Sequence, residues 1–181
     1  MSKIYSFPEL SLSQPFGYFS HPEIHPWFNR LSSQAFLYFA HPVNTYGTAS
    51  ERKLVPYIFE FFLQAFEVVK IENPNTEEHC KNYAKWKQAY ASNGMNYFIE
   101  EVLPKCNCAI FLPFRDNTIG AGVWKEVQYF LNLQLPVWMI NRTGKITPIL
   151  SRPKHLCLSV KETKSRIYVN GKNCDEGLKT Y

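Results

Sequence analysis

Short apolar runs alternate along the chain with amphipathic stretches, and the alternation is clearest across residues 108–140. A continuous apolar run of strand length (CAIFL) is followed by a polar, glycine-bearing loop. Val123, Val127, Phe130 and Leu131 then recur at helical spacing, with Glu126 near the start of that stretch, and a second apolar run ends at Ile140. The order strand, loop, helix, strand predicts a βαβ unit, whose ligand loop lies at the carboxyl end of its first strand. That loop carries Arg115, Asp116, Asn117, Thr118, Gly120 and Gly122.

The rest of the chain reads in the same alphabet. Residues 35–40 (AFLYFA) form an apolar aromatic run closed by His41-Pro42, which suits a buried strand. Thr48 with Glu51 has the spacing of a capping box, and Leu54, Ile58, Phe61, Phe62 and Ala65 define one helical face behind it. Pro56 is expected to kink that helix or to mark where its regular part begins. Residues 66–71 (FEVVKI) read as a second strand, stopped by Asn73-Pro74-Asn75. Asn75 is placed to cap a helix whose first turn holds Glu77 and Glu78, and Tyr83, Trp86 and Tyr90 form an aromatic stripe along it. Asn93-Gly94 breaks the pattern, and a shorter helix over 95–103 presents Phe98, Val102 and Leu103 inward. Residues 141–153 look like a basic loop, 155–160 and 166–169 like two last strands, and Asn170-Gly171 like a turn. Strands alternating with helices predict an α/β three-layer sandwich with a mostly parallel, flavodoxin/Rossmann-like sheet. The expected division is an aromatic, Pro-rich N-terminal extension over 1–33 and one α/β domain over 34–181.

Composition narrows the function classes. With 45% hydrophobic and 19% charged residues, a chain of 181 residues can bury a full core. The net charge of +5 is scattered, with some excess after Asn141, so a nucleic-acid partner is not expected. Five cysteines, with Cys106 and Cys108 as a lone C-x-C, do not form a zinc pattern, and no metal or cofactor is expected. Pro8 and Pro15 interrupt the first residues, so no apolar signal core forms, and no run approaches a membrane span. A cytoplasmic protein without a membrane partner is the expectation. The G-x-x-x-x-G-K-[ST] and G-x-G-x-x-G phosphate fingerprints do not occur.

Three pieces carry a resemblance. Gly120-Ala-Gly122-Val-Trp-Lys-Glu126 follows the loop with Asp116, Tyr38-Phe39-Ala40-His41-Pro42 ends the first strand, and Pro74-Asn75 ends the second. In this order they resemble the nucleoside 2-deoxyribosyltransferase-like family, in a distant branch, because Gly122 stands four residues before Glu126. The resemblance implies cleavage or transfer at an N-glycosidic bond of a nucleoside or nucleotide, with Glu126 attacking the anomeric carbon. A carboxylate there stabilises an oxocarbenium-like transition state and splits one hard step into two. It implies Asp116 as a sugar-binding group or acid for the departing base. Tyr38, Phe39, His41, Asn75, Gly120 and Gly122 become the expected substrate-binding positions, although helix capping by itself explains Asn75 fully. His41 is of the residue type that exchanges a proton near neutral pH. Met95-Asn96 matches by type the residues with which family members complete a neighbouring subunit's pocket, so a homo-oligomer is expected. A non-catalytic nucleotide-sensing module of the same fold and a nicotinamide-nucleotide (NAD) glycohydrolase are the alternatives.

Overall fold

The computed structural model describes residues 33–90, 94–153, 156–169 and 172–173. Its first strand is β1 (Gln34–Ala40), an interior strand of the sheet and the first of those expected. β1 pairs in parallel with β2 (Val68–Glu72) on one side, from Gln34 opposite Val68 to Tyr38 opposite Glu72. On the other side it pairs in parallel with β3 (Cys108–Phe111), from Leu37 opposite Cys108 to Ala40 opposite Phe111. β4 (Val137–Ile140) extends the sheet in parallel from β3, and β5 (Ile146–Pro148) closes it as an antiparallel edge. The strand order is β2-β1-β3-β4-β5, the doubly wound arrangement whose direction of travel reverses between β1 and β3.

Alternation along β1 divides the core into two layers. Ala35, Leu37 and Phe39 point to the cluster that contains Leu54, Ile58, Phe61 and Phe62 of α1 (Ala49–Leu63). Tyr38 and Ala40 point to the opposite cluster, with Phe98 and with Val123, Val127 and Phe130 of α4 (Ala121–Asn132). Helices on both faces of a mostly parallel sheet make the three-layer α/β sandwich that the pattern predicted. The 108–140 unit is formed as β3-α4-β4.

Several elements differ from expectation, each for a local reason. α1 runs through Pro56 from Ala49 to Leu63, so Ala65 falls beyond its end and is exposed. α2 (Glu77–Tyr90) is capped by Thr76, whose hydroxyl accepts from the His79 amide at 3.2 Å, and Asn75 is left to other work. Along α2, Tyr83 and Trp86 pack on the core while Tyr90 stays 62% exposed. The helix expected over 95–103 changes pitch twice: α3 (Met95–Tyr97) passes into a π turn, Phe98–Val102, and a 3-10 turn, Leu103–Lys105. Pro104, inside the 3-10 turn, has no amide hydrogen to return to an earlier carbonyl, which weakens helical bonding at this end of the stretch.

The largest departures lie in the last third. The basic loop over 141–153 contains β5, an edge strand too short to show a period. Of the strand expected over 166–169 only Tyr168–Val169 is formed, because residues 166–167 end α5 (Val160–Ile167), which Ser159 and Glu162 open with a reciprocal capping box. What remains of the strand expected over 155–160 is a single parallel bridge between Ile119 and Cys157. β6 (Tyr168–Val169) and β7 (Lys172–Asn173) form a two-stranded hairpin after α5. His155, the Asn170-Gly171 turn and the extension over residues 1–32 lie outside the described residues. No helix among the described residues is long and apolar enough to cross a membrane.

Candidate active site

The parity of β1 decides which predicted residues meet. Tyr38, on the α4 side, donates its hydroxyl to Glu126 Oε1 at 2.9 Å across 88 residues of sequence. Its ring lies between Phe98 and Phe130, with centroids 6.4 and 6.3 Å away. Tyr38 is fully buried and Glu126 is 7% exposed, so the pair sits inside the α4 layer.

Burial, opposed by the Tyr38 hydrogen bond, pushes the Glu126 carboxyl up to about 8. The positive end of a helix dipole would favour the ionised form. Glu126 is in the second turn of α4, where the dipole has largely decayed, and desolvation wins. The Tyr38 phenol is itself pushed well above its ordinary range by burial and by the neighbouring Glu126, so it remains a donor. Tyr38→Phe is therefore expected to cost about 1–3 kcal/mol in urea unfolding by leaving a buried carboxyl oxygen unpaired. The same substitution removes the hydrogen bond that holds the Glu126 pKa down, so Glu126 should titrate still higher.

His41 and Phe39, one parity over, belong to a different cluster. The Phe39 ring stacks on His41 at 4.3 Å within the α1 layer, so Phe39 does not face Glu126 and is a packing residue. His41 places Nδ1 3.0 Å from the Phe39 carbonyl and Nε2 3.3 Å from Glu51 Oε1. Glu51 also receives the side-chain amides of Asn73 and Asn75, each at 2.8 Å, and the Gly47 amide. Burial raises the Glu51 carboxyl, but the hydrogen bonds from His41, Asn73, Asn75 and Gly47 together bring it down to about 2. Gly47 takes φ +70°, a conformation that favours glycine, and this aims its amide at the carboxylate.

Glu51 was legible only as half of a capping box. Thr48 does accept from the Glu51 amide, yet the Glu51 side chain turns to Gly47, Asn73 and Asn75 and so ties the loop after β1 to the loop after β2. Tyr46 connects the two clusters: its ring is 4.8 Å from His41, and burial, Glu126 and Glu51, in that order, push its phenol well up.

Asp116 lies elsewhere. Its carboxylate accepts from the Thr118 amide and hydroxyl and pairs with Arg166 of α5. The little burial it has raises its pKa, but Thr118 and Arg166 outweigh that and hold the carboxyl below its usual range. Asp116 is ionised at neutral pH and cannot give a proton to a departing base. It fixes the loop after β3 against α5, and of the two roles expected of it these contacts bear only on that of acid. The glycines also have local reasons. A side chain at Gly120 would press at 3.2 Å on Phe114 and Thr163, and the Ala121 amide is capped by Thr163 Oγ1 at 2.8 Å. Gly122 faces Met95 at ordinary contact distance, and Asn96 accepts from Lys125 of α4. The 95–96 segment thus packs on the start of α4 within the same chain.

Among the described residues, cavities open on the surface. One of about 240 Å³ lies among Trp86, Tyr90, Asn96 and Glu100. Another, about 160 Å³, lies between the loops after β3 and β4, with Arg115, Asn117, Asn141 and Arg142 in its wall. Glu126 and Tyr38 line neither. Among the described residues no group of three His, Cys, Asp or Glu side chains is arranged to hold a metal ion. No protein-family model, curated protein or solved structure matches the chain.

Proposed function

We propose that the chain cleaves or transfers at the N-glycosidic bond of a nucleoside or nucleotide, with Glu126 as the nucleophile. The observation that carries this reading is the Tyr38–Glu126 hydrogen bond, a buried carboxyl fixed beside the strands where the sheet reverses direction. Ligands of doubly wound sheets gather at the carboxyl ends of those strands. Glu126 attacks the anomeric carbon, the carbon–nitrogen bond breaks, and its electron pair leaves with the base. Because Glu126 is largely protonated at neutral pH, its proton leaves with the base in the net balance, and a glycosyl ester remains. Water or a second base then attacks the same carbon, which releases the carboxyl and completes hydrolysis or transfer.

The attacking form is the carboxylate, so turnover should rise with pH and level off above about 8. Tyr38→Phe should move that rise to higher pH, which an activity–pH profile would read directly. The test of covalency is mass spectrometry after incubation with 2-deoxy-2-fluoro nucleosides, whose glycosyl-enzymes hydrolyse slowly. A glycosyl adduct on the Glu126 peptide is expected, and an adduct on another residue would refute the assignment.

The sealed Glu126 favours a second reading, a nucleotide-sensing module that binds without turnover. In that case nucleotides bind and no adduct or free base forms. The cytoplasmic setting belongs to the proposal as well. Burial pushes the Cys106 thiol up to about 12 and the Cys108 thiol well up, which fits inert structural thiols.

A further inference from the structure

The loop between β1 and α1 contains a polar side chain that the fold leaves unpaired. Asn44 lies in the middle of a 3-10 turn, Val43–Thr45, at the carboxyl end of β1. It is 4% exposed, and neither its Oδ1 nor its Nδ2 has a hydrogen-bond partner. The groups around it are bonded to one another. The Thr45 amide and hydroxyl bond the Pro42 carbonyl at 2.9 and 2.6 Å, and the Tyr46 amide bonds the Val43 carbonyl at 3.1 Å. The Thr48 hydroxyl bonds the Thr45 carbonyl at 2.7 Å. The turn is therefore held firmly while the amide side chain at its centre has nothing to hold.

A buried, unpaired donor and acceptor are costly, and turn-forming alone does not require them, since the turn is already closed by its backbone and by Thr45. The position has a meaning in this topology. β1 is the strand from which the sheet grows in both directions, and the loop after it borders the reversal between β1 and β3. Two residues further on, the Tyr46 ring lies 4.8 Å from His41, whose Nε2 reaches Glu51 Oε1, so this loop borders the Glu51 cluster. An asparagine side chain offers one donor and one acceptor in a plane, the complement of an adjacent donor–acceptor pair on a planar heterocycle.

We propose that Asn44 is the specificity residue of the site and reads the donor–acceptor edge of a nucleobase. This rests on the reading of Glu126 as part of a nucleoside site, and it adds that the base, not the sugar, is recognised from the loop after β1. The ligand class is a nucleoside whose base carries neighbouring donor and acceptor groups on one edge, as in adenine, hypoxanthine or cytosine, each of which Asn44 meets with two hydrogen bonds. Binding requires the loop to admit the base, and the amide then gains the partners that the free protein withholds.

The experiment measures binding by calorimetry in Glu126→Gln, which halts turnover, with adenosine, inosine, cytidine and ribose 5-phosphate as probes. At least one nucleoside should bind, and adding Asn44→Leu should weaken it about tenfold or more while ribose 5-phosphate is unaffected. In thermal melts without ligand, Asn44→Leu should be as stable as its parent or more so, because an unpaired polar group is replaced by an apolar one of similar size. Should Leu fail to fold, Asn44→Ala gives the same comparison of nucleoside with ribose 5-phosphate. Equal nucleoside affinity with and without Asn44 would overturn the inference. So would a lowered melting temperature with affinity retained, the mark of a structural asparagine bridged by water, and so would the failure of every nucleoside to bind. If binding depends on Asn44 but the wild-type protein releases no base, the recognition site stands and the glycosidase reading falls.

Discussion

Glu126→Gln is expected to make the protein markedly more stable than wild type above neutral pH and indistinguishable from it in acid. In the folded state the Glu126 carboxyl sits at about 8, against an ordinary value of 4.5. A carboxyl whose pKa rises on folding favours the protonated folded state, so its contribution is complete below 4.5 and is lost as pH climbs through about 8. The full loss is on the order of 5 kcal/mol, because each tenfold change in the ionisation equilibrium is worth about 1.4 kcal/mol. Glutamine keeps the oxygen that accepts from Tyr38 and carries no charge at any pH, so its unfolding free energy should lack this decline. Urea unfolding from pH 4.5 to 9 separates the two profiles. Parallel curves would mean that Glu126 is solvated and ionised at neutral pH.

Glu51→Ala should have the opposite sign. Removing Glu51 strands the side chains of His41, Asn73 and Asn75 and the Gly47 amide, all of which converge on one buried carboxylate. Deleting the shared member of such a network costs about 3–5 kcal/mol, since several buried donors stay behind without an acceptor. The pH dependence is equally specific. The Glu51 carboxyl lies near 2, so its contribution is present above its ordinary 4.5 and is lost as pH falls toward 2. Wild type should lose stability over that acid window, and Glu51→Ala, already without the clamp, should show a shallower acid decline. Equal acid profiles would show that the carboxylate is not held in this way.

The frame of the fold was legible because its elements have clean periods. The apolar runs of β1 and β3, the helical spacing of Leu54, Ile58, Phe61 and Phe62, and the amphipathic stretch through Glu126 each correspond to an observed element. Where the period was short, tertiary context decided. β5 spans Ile146–Pro148 and is defined by its pairing with β4, and α5 buries only Thr163 and Ile167, too few positions to show a helical period.

The site was partly legible for the same reasons. A period of two along β1 puts Tyr38 on one face and Phe39 on the other, and this suffices to separate the residue that meets Glu126 from the one that packs on α1. The Glu51 clamp was not legible, because Asn73 and Asn75 come from another loop and a capping-box spacing explained Glu51 without them. Asp116 stands in the expected loop, but the cation that claims it, Arg166, lies in the last turn of α5, where the sequence suggests the start of a strand. Asn44 carried no motif at all, and only its burial without a hydrogen-bond partner brings it forward.

The most direct measurement is the release of free base. Wild-type protein incubated with a panel of nucleosides, nucleotides and NAD at pH 8 should liberate base from at least one substrate. Glu126→Gln should reduce that rate at least about 10³-fold while the same compound still binds. Base release that survives the substitution, or a wild-type protein that binds nucleotides and releases none, would contradict Glu126 as the nucleophile.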